Sequence, residues 1–146
     1  MISGYHRIML KISLDPKGER FLTQLGLFLL RVVPAGILMS QHGWLKLRGF
    51  SGMANQFPDP LGISPHLSLA LAVFGEFFCS ALVVLGIWTR LAVIPPLITM
   101  SVALFIIHAS DPFAKKELAL MYWIVFVAVF LLGPGDWTIG RVFKRK

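Results

Sequence analysis

The amino-acid sequence predicts an all-α protein: an antiparallel four-helix transmembrane bundle with the N and C termini in the cytoplasm. Hydrophobic residues make up 56% of the 146-residue chain and charged residues only 14%, whereas a soluble domain carries about 25% charged residues. The apolar residues form four blocks, and none alternates polar and apolar residues as a barrel strand does. Basic residues concentrate near the two ends of the chain, which orients the bundle.

Each apolar block predicts one helix. A helix needs roughly 20 residues to cross a bilayer, and its backbone groups must be paired internally in lipid. The first two blocks reach this length, and the last two are completed by interfacial flanks. The predicted helices cover about residues 21–45, 65–88, 91–108 and 117–133.

The connections between the helices have different characters. Residues 46–64 form the longest loop and are rich in Gly and Pro, whereas Thr89 and Arg90 form a tight turn. Such a short connection indicates antiparallel neighbours. The GPGD sequence at Gly133 to Asp136 ends the fourth helix, since Gly favours the left-handed cap and Pro stops the helix. Residues 21–140 therefore form one membrane domain.

Two tails flank this domain. In residues 1–20, the segment YHRIMLKISL is interpreted either as a short amphipathic surface helix or as a poorly ordered tail. Residues 141–146 form a basic tail. With four spans, nine basic residues lie on one side of the membrane and four on the other, which favours cytoplasmic termini. The nine are Arg7, Lys11, Lys17, Arg20, Arg90, Arg141, Lys144, Arg145 and Lys146; the four are Lys46, Arg48, Lys115 and Lys116.

The charge and cysteine content exclude several function classes. The net charge of +7 lies largely in the tails, so membrane topology explains it better than nucleic-acid binding does. Cys79 is the single cysteine, which excludes an intramolecular disulfide, a CxxC redox motif and a cysteine-based metal cluster. The sequence contains no phosphate-binding loop, nucleophile elbow or HExxH motif, and we assign neither catalytic residues nor a metal site.

Ionisable residues at membrane depth usually face the bundle interior. Arg31, His42 and Lys46 recur on one face of the first helix at about 100° per residue. Counting from the helix ends places Arg31 about 15 Å and Glu76 about 18 Å from the cytoplasmic side, which predicts an Arg31–Glu76 ion pair. His108 ends the third helix near the outer ends of these residues. The candidate binding site therefore comprises Arg31, His42, Lys46, Glu76 and His108.

Structural explanations compete with a binding role. A buried ion pair can serve only packing and register, and both interpretations stay open from the sequence. His42 and His108 are also compatible with an interfacial position. Haem ligation by these two histidines rests on spacing alone and is disfavoured.

Several segments in order are similar to a known family. Arg31 is followed by HGWLKL, PLGI and the Glu76-containing FGEFFCSALVVLGIWTRLA, and then by MSVALFIIH, KELALMY and GPGDWTI. In order and spacing they resemble the DoxX family of membrane proteins, from about Gly26 to Ile139. The resemblance implies a four-helix protein of the bacterial cytoplasmic membrane. Relatives include the small membrane subunit of an archaeal thiosulfate:quinone oxidoreductase and proteins associated with oxidative-stress complexes.

Two functional hypotheses follow. In the first, the chain is the membrane subunit of a quinone-linked redox or oxidative-stress complex. Arg31 and Glu76 set the electrostatic field of the site, and His42 or His108 donates a hydrogen bond to a quinone carbonyl or relays a proton. A soluble partner protein supplies the electrons. The chain is then at most a non-autonomous subunit of an oxidoreductase. In the second, it is a non-enzymatic assembly partner or a small-solute carrier with a structural ion pair. The small residues of the helices are compatible with a homo-oligomer, whose interface the sequence does not define.

Overall fold

The computed structural model describes residues 16–144, in which the chain forms helices and connecting turns without a strand. Within that range there are four long helices: α1 at Pro16–Arg48, α2 at Pro65–Leu85, α3 at Thr89–Ile107 and α4 at Phe113–Leu132. Short helices at Phe50–Met53 and Ile139–Lys144 follow α1 and α4. The all-α prediction is confirmed. The segment YHRIMLKISL and the last two basic residues lie outside the described range.

Three helices of the described range, α1, α2 and α3, are long and apolar enough to span a membrane. The 20-residue α4 is equally apolar after its first turns, but Lys115, Lys116 and Glu117 near its start interrupt the apolar stretch. It lies within the bundle, where Trp123 donates a hydrogen bond to Ser101 of α3 at 2.9 Å.

Two predicted boundaries differ from the structure. Helix α1 is already formed at Pro16, the first described residue, five residues before the predicted start, and proline is compatible with a first helical turn. The turn between α2 and α3 lies at residues 86–88 and not at Thr89 and Arg90. Gly86 ends α2 in the left-handed conformation, with φ of 74°, as glycine does at a helix C-terminus, and Thr89 already begins α3.

The core lies where all four long helices meet. Phe126 of α4 and Leu38 of α1 are fully buried and belong to one apolar cluster with residues of α2 and α3. A second, smaller cluster around Leu69 and Ala54 packs the connection after α1 against α2. The second cluster keeps this long connection close to the ends of the helices.

Three of the long helices contain a π-helical segment, at Leu38–Gly43 in α1, Phe74–Cys79 in α2 and Ala103–Ile107 in α3. Each such segment accommodates an extra residue per turn, and π-turns are common at functional sites. The first two segments touch at Gly43. A Cβ atom on Gly43 would lie 2.6–2.7 Å from backbone atoms of Glu76 and Phe77. Glycine therefore permits α1 and α2 to approach at this level.

Candidate functional site

A cavity of about 450 Å³ lies between the helices beside the three π-helical segments. Its wall is mainly apolar and includes the connection between α1 and α2. The ionisable and aromatic polar side chains that line it come from all four long helices and from the turn after α3: His42, Lys46, Glu76, His108, Lys115 and Tyr122. This cavity is the candidate functional site.

The strongest polar interaction in the cavity wall joins α1 to α2. Lys46 Nζ lies 2.5 Å from Glu76 Oε2, and the side chains are 21% and 4% exposed. A carboxylate this deeply buried needs a partner to remain charged. The Lys46 ammonium supplies it, so the wall contains a neutralised pair rather than an isolated charge.

The predicted Arg31–Glu76 pair is wrong. Arg31 is 1% exposed, and its guanidinium donates hydrogen bonds to the carbonyls of Val83 at 3.2 Å and Trp137 at 2.7 Å. In the described part of the chain no carboxylate contacts it. Arg31 does not line the cavity.

The reason is the relative level of the helices. The depth estimate assumed that Phe21 and Trp88 lie at one level, but Arg31 itself is level with Val83, two residues before the end of α2. Glu76 lies seven residues before Val83 in α2, or about 10 Å from it along the helix axis. The first part of α1 therefore extends beyond α2. Trp137 packs against this N-terminal part of α1, and its ring centroid lies 5.6 Å from that of Phe21.

Arg31 consequently joins the C-terminal segment to the bundle. We expect Arg31→Met to lower the free energy of unfolding by about 2 kcal/mol, because two charge-assisted hydrogen bonds are lost while a buried charge is removed. Limited proteolysis should detect faster cleavage after Gly133. Binding in the cavity should be unaffected, and a loss of binding in a folded Arg31→Met protein would contradict this assignment.

His42 and Tyr122 form the aromatic part of the cavity wall. Their ring centroids are 6.1 Å apart with the planes nearly perpendicular, and Tyr122 stacks on Phe126. Neither the His42 ring nor the Tyr122 hydroxyl has a hydrogen-bond partner among the described residues. Both groups are therefore free to bind a ligand.

His108 has a partner that the sequence analysis missed. Its Nδ1 atom lies 2.8 Å from Oδ2 of Asp111, in the turn between α3 and α4. Hydrogen bonding to His108 and the nearby charges of Lys115, His108 and Lys116 lower the pKa of Asp111. The i, i+3 spacing of a histidine and an aspartate was the available signal, but it depends on a turn that the sequence does not specify.

The structure thus brings together four of the five predicted site residues. His42, Lys46, Glu76 and His108 line one cavity, while Arg31 is elsewhere. Tyr122 is a further lining residue that the sequence analysis did not select, because an isolated tyrosine in an apolar helix has no distinctive spacing. Among the described residues there is no group of three or more metal-ligating side chains.

The connection before α2 is held against the cavity by Asp59. Its carboxylate accepts hydrogen bonds from the backbone N–H groups of Ile63 at 3.0 Å and Ser64 at 2.8 Å, and from the Ser68 hydroxyl at 2.8 Å. Ser64 in turn caps α2 by accepting from the N–H group of Leu67. We call the three hydrogen bonds accepted by Asp59 the Asp59 latch. The cavity is lined by the residues around it, Pro58, Pro60 and Leu61.

We expect acid to release this connection. The hydrogen bond from Ser68, followed by those from the backbone, lowers the pKa of Asp59 below its usual 3.8. A lowered folded-state pKa means that the contribution is complete above the unfolded-state pKa and is lost as pH falls through the folded-state value. Amide exchange at Ile63 and Ser64, corrected for intrinsic rates, should accelerate only below about pH 4. Exchange in Asp59→Asn should be fast already at neutral pH, and equal protection in both proteins would contradict the latch.

Comparisons with known proteins identify the family. No curated protein and no solved structure matches the chain. The DoxX family model matches residues 26–109, more than half of the chain. The matched range extends from α1 through the end of α3 and includes His42, Lys46, Glu76 and His108, whereas Asp111 and Tyr122 follow it. The protein is a member of the DoxX family.

Proposed function

We propose that the cavity binds a quinone and that the chain is the membrane subunit of a quinone-linked redox complex. The observation that carries the proposal is an apolar cavity in which the His42 ring and the Tyr122 hydroxyl have no hydrogen-bond partner among residues 16–144. Its volume of about 450 Å³ is within the usual range for small-molecule sites. Quinones are apolar rings with hydrogen-bond acceptors at opposite ends. The ring would contact the apolar lining, and the carbonyl oxygens would accept hydrogen bonds from the polar lining residues.

The charges of the cavity support an uncharged ligand. Lys46 is neutralised by Glu76, and Lys115 lies 3.8 Å from Asp111. An anionic or cationic solute would need an excess of the opposite charge to offset its desolvation. The balance favours a quinone over a charged solute and therefore disfavours a carrier for ions.

His42 and Tyr122 offer a direct test. Because neither has a hydrogen-bond partner within the described chain, Tyr122→Phe leaves no buried group unpaired and should hardly alter stability. We expect it to weaken binding of a short-chain benzoquinone, measured by equilibrium dialysis, about fivefold for one lost hydrogen bond. Trp123→Phe is a matched control on the same helix, since Trp123 bonds to Ser101 outside the cavity.

The outcomes separate the hypotheses. Saturable binding that Tyr122→Phe weakens and Trp123→Phe does not would support a quinone site in this cavity. Absence of saturable binding by the folded wild-type protein would reject it. If Tyr122→Phe and Trp123→Phe weakened binding equally, the quinone would bind outside this cavity.

The proposed topology has four crossings, with both termini on the cytoplasmic side of the bacterial inner membrane. Helix α4 supports it because the helix packs inside the bundle and its 15 apolar residues after Glu117 extend about 22 Å. The turn that carries Lys115 and Lys116 would complete the crossing at the interface. In a Cys79→Ser background, Ser110→Cys should react with an impermeant maleimide added to intact cells. Lys144→Cys should react only after permeabilisation, and its labelling from outside would contradict the fourth crossing.

A further inference from the structure

We propose that the cavity opens sideways into the bilayer between α2 and α3, and that its ligand is a quinone whose long apolar tail passes through this opening. The lateral opening is bounded by Leu71 of α2 and by Ile98 and Val102 of α3, all three of which line the cavity. This inference rests on the proposed function. It adds the class of quinone, one with a lipid-soluble tail, and the route by which the ligand enters.

Helices α2 and α3 are in close contact at Gly75. A Cβ atom on Gly75 would lie 2.7 Å from Oγ1 of Thr99 and 3.2 Å from the backbone carbonyl of Pro95, and Gly75 is buried. A hydrocarbon chain does not fit between helices that approach this closely. The contact at Gly75 therefore limits the lateral opening on one side.

The two helices separate on the other side of this contact. Leu71 lies one turn before Gly75 and therefore on the same face of α2, yet it is 48% exposed, so α3 no longer covers α2 at this level. Across the gap, Ile98 precedes Thr99 in α3 and is 56% exposed. Both Leu71 and Ile98 also line the cavity. A residue that lines the cavity and is half exposed marks a place where the cavity wall is open.

The lateral opening lies at the depth of the membrane spans. Leu71 lies six residues after the first residue of α2, Pro65, or about 9 Å along the axis. Ile98 lies nine residues before the last residue of α3, Ile107, or about 14 Å along the axis. Both helices are long and apolar enough to span a membrane, and the residues that bound the opening are aliphatic. The opening therefore leads to lipid hydrocarbon.

The other exposed part of the cavity rim is less suitable for an apolar tail. It lies at the ends of the helices, where Leu61, Ile107 and Leu118 line the cavity together with Lys115. The Lys115 side chain is 66% exposed. A tail that left the cavity here would displace water from a charged group, which is costly. The lateral opening avoids this cost.

The unpaired hydrogen-bonding groups lie on the two helices that do not bound the opening. His42 belongs to α1 and Tyr122 to α4, and their ring centroids are 6.1 Å apart. A quinone ring bound to these groups would therefore direct its other end toward α2 and α3. The cavity volume of about 450 Å³ accommodates a drug-sized molecule but not a tail of several isoprene units as well. A long tail must consequently leave the cavity.

Photocrosslinking would locate the tail directly. The full chain in nanodiscs would be incubated with a benzoquinone whose decyl tail carries a diazirine at its midpoint, then irradiated and digested for mass spectrometry. We expect labelled peptides from α2 around Leu71 and from α3 around Ile98 and Val102. An excess of tail-free benzoquinone should suppress this labelling, because both molecules occupy the same ring site.

Ile98→Trp tests whether the tail needs the opening. The indole would fill the gap, so half-saturation of the suppressible labelling should require about tenfold more tailed quinone. Binding of tail-free benzoquinone, measured by equilibrium dialysis, should hardly change. Ile106→Trp is the matched control, since Ile106 belongs to the same helix, is 46% exposed and does not line the cavity. It should alter neither measurement.

Each outcome has a separate meaning. Suppressible labelling confined to residues 57–63 or to the turn between α3 and α4 would overturn the lateral opening while quinone binding stands. The same conclusion would follow if Ile98→Trp had no effect, weakened both quinones equally or acted no more strongly than Ile106→Trp, or if tail-free quinone bound but the tailed probe gave no suppressible labelling. Failure of the folded wild-type protein to bind either quinone would instead overturn the proposed function, and this inference with it.

Discussion

Lys46→Met is expected to lower the free energy of unfolding by about 3–5 kcal/mol, the usual cost of breaking a buried ion pair. The variant leaves the Glu76 carboxylate, which is 4% exposed, without its cation. Reversible unfolding in mixed micelles would measure the loss. Arg48→Met is the matched control, because Arg48 lies two residues away on the same helix, is exposed and should tolerate the change.

The double variant Lys46→Met/Glu76→Leu separates a structural pair from a functional one. Removing both charges also removes both desolvation costs, so the double variant should regain most of the stability lost by Lys46→Met. If the pair also orients a bound quinone, the restored protein will still bind it weakly. A double variant no more stable than Lys46→Met would show that the ion pair is not the origin of the loss.

Gly43→Val is expected to cost about 3 kcal/mol, the upper end of the overpacking range. A Cβ atom on Gly43 would lie within 2.7 Å of the Glu76 backbone, which cannot rotate away as a side chain can. Separation of α1 from α2 would also lengthen the Lys46–Glu76 contact. Thermal unfolding and quinone titration should therefore both change.

Gly36→Ala is the control for Gly43. It lies two turns earlier in α1, and a Cβ atom there would meet no atom within 4 Å. Alanine favours a helix over glycine by up to about 1 kcal/mol, so this variant should be neutral or slightly stabilising. If Gly43→Val were equally harmless, the close approach of the two helices would not determine the geometry of the cavity.

The sequence predicted the helical class because the hydrophobic blocks are long and strongly apolar. It also predicted that the face of α1 that carries Arg31, His42 and Lys46 points into the bundle. Arg31 is buried on this side, together with Ala35 and Leu38. Periodicity alone reports which face of a helix is polar. It does not report how far one helix slides along another, and the Arg31–Glu76 pairing failed at that step.

The remaining site residues depend on tertiary geometry. Tyr122 enters the cavity because α4 packs against the π-helical segment that carries His42. Asp111 reaches His108 because a short turn returns the chain on itself. Tyr122 is an isolated tyrosine in the middle of an apolar helix, and the spacing of His108 and Asp111 has a meaning only once their turn has formed, so a single sequence could not select either residue.

Because of the three π-helical segments, the geometry of the cavity depends on the number of residues in each helix as well as on their identity. In α1, Lys46 follows the segment Leu38–Gly43, so removing one residue from that segment would turn the rest of the helix by about 100°. Lys46 would then leave Glu76 although neither residue had changed. Insertions and deletions within these helices can therefore create or erase this polar site in a single step, while an alignment that compares only residue identities would still show every site residue intact.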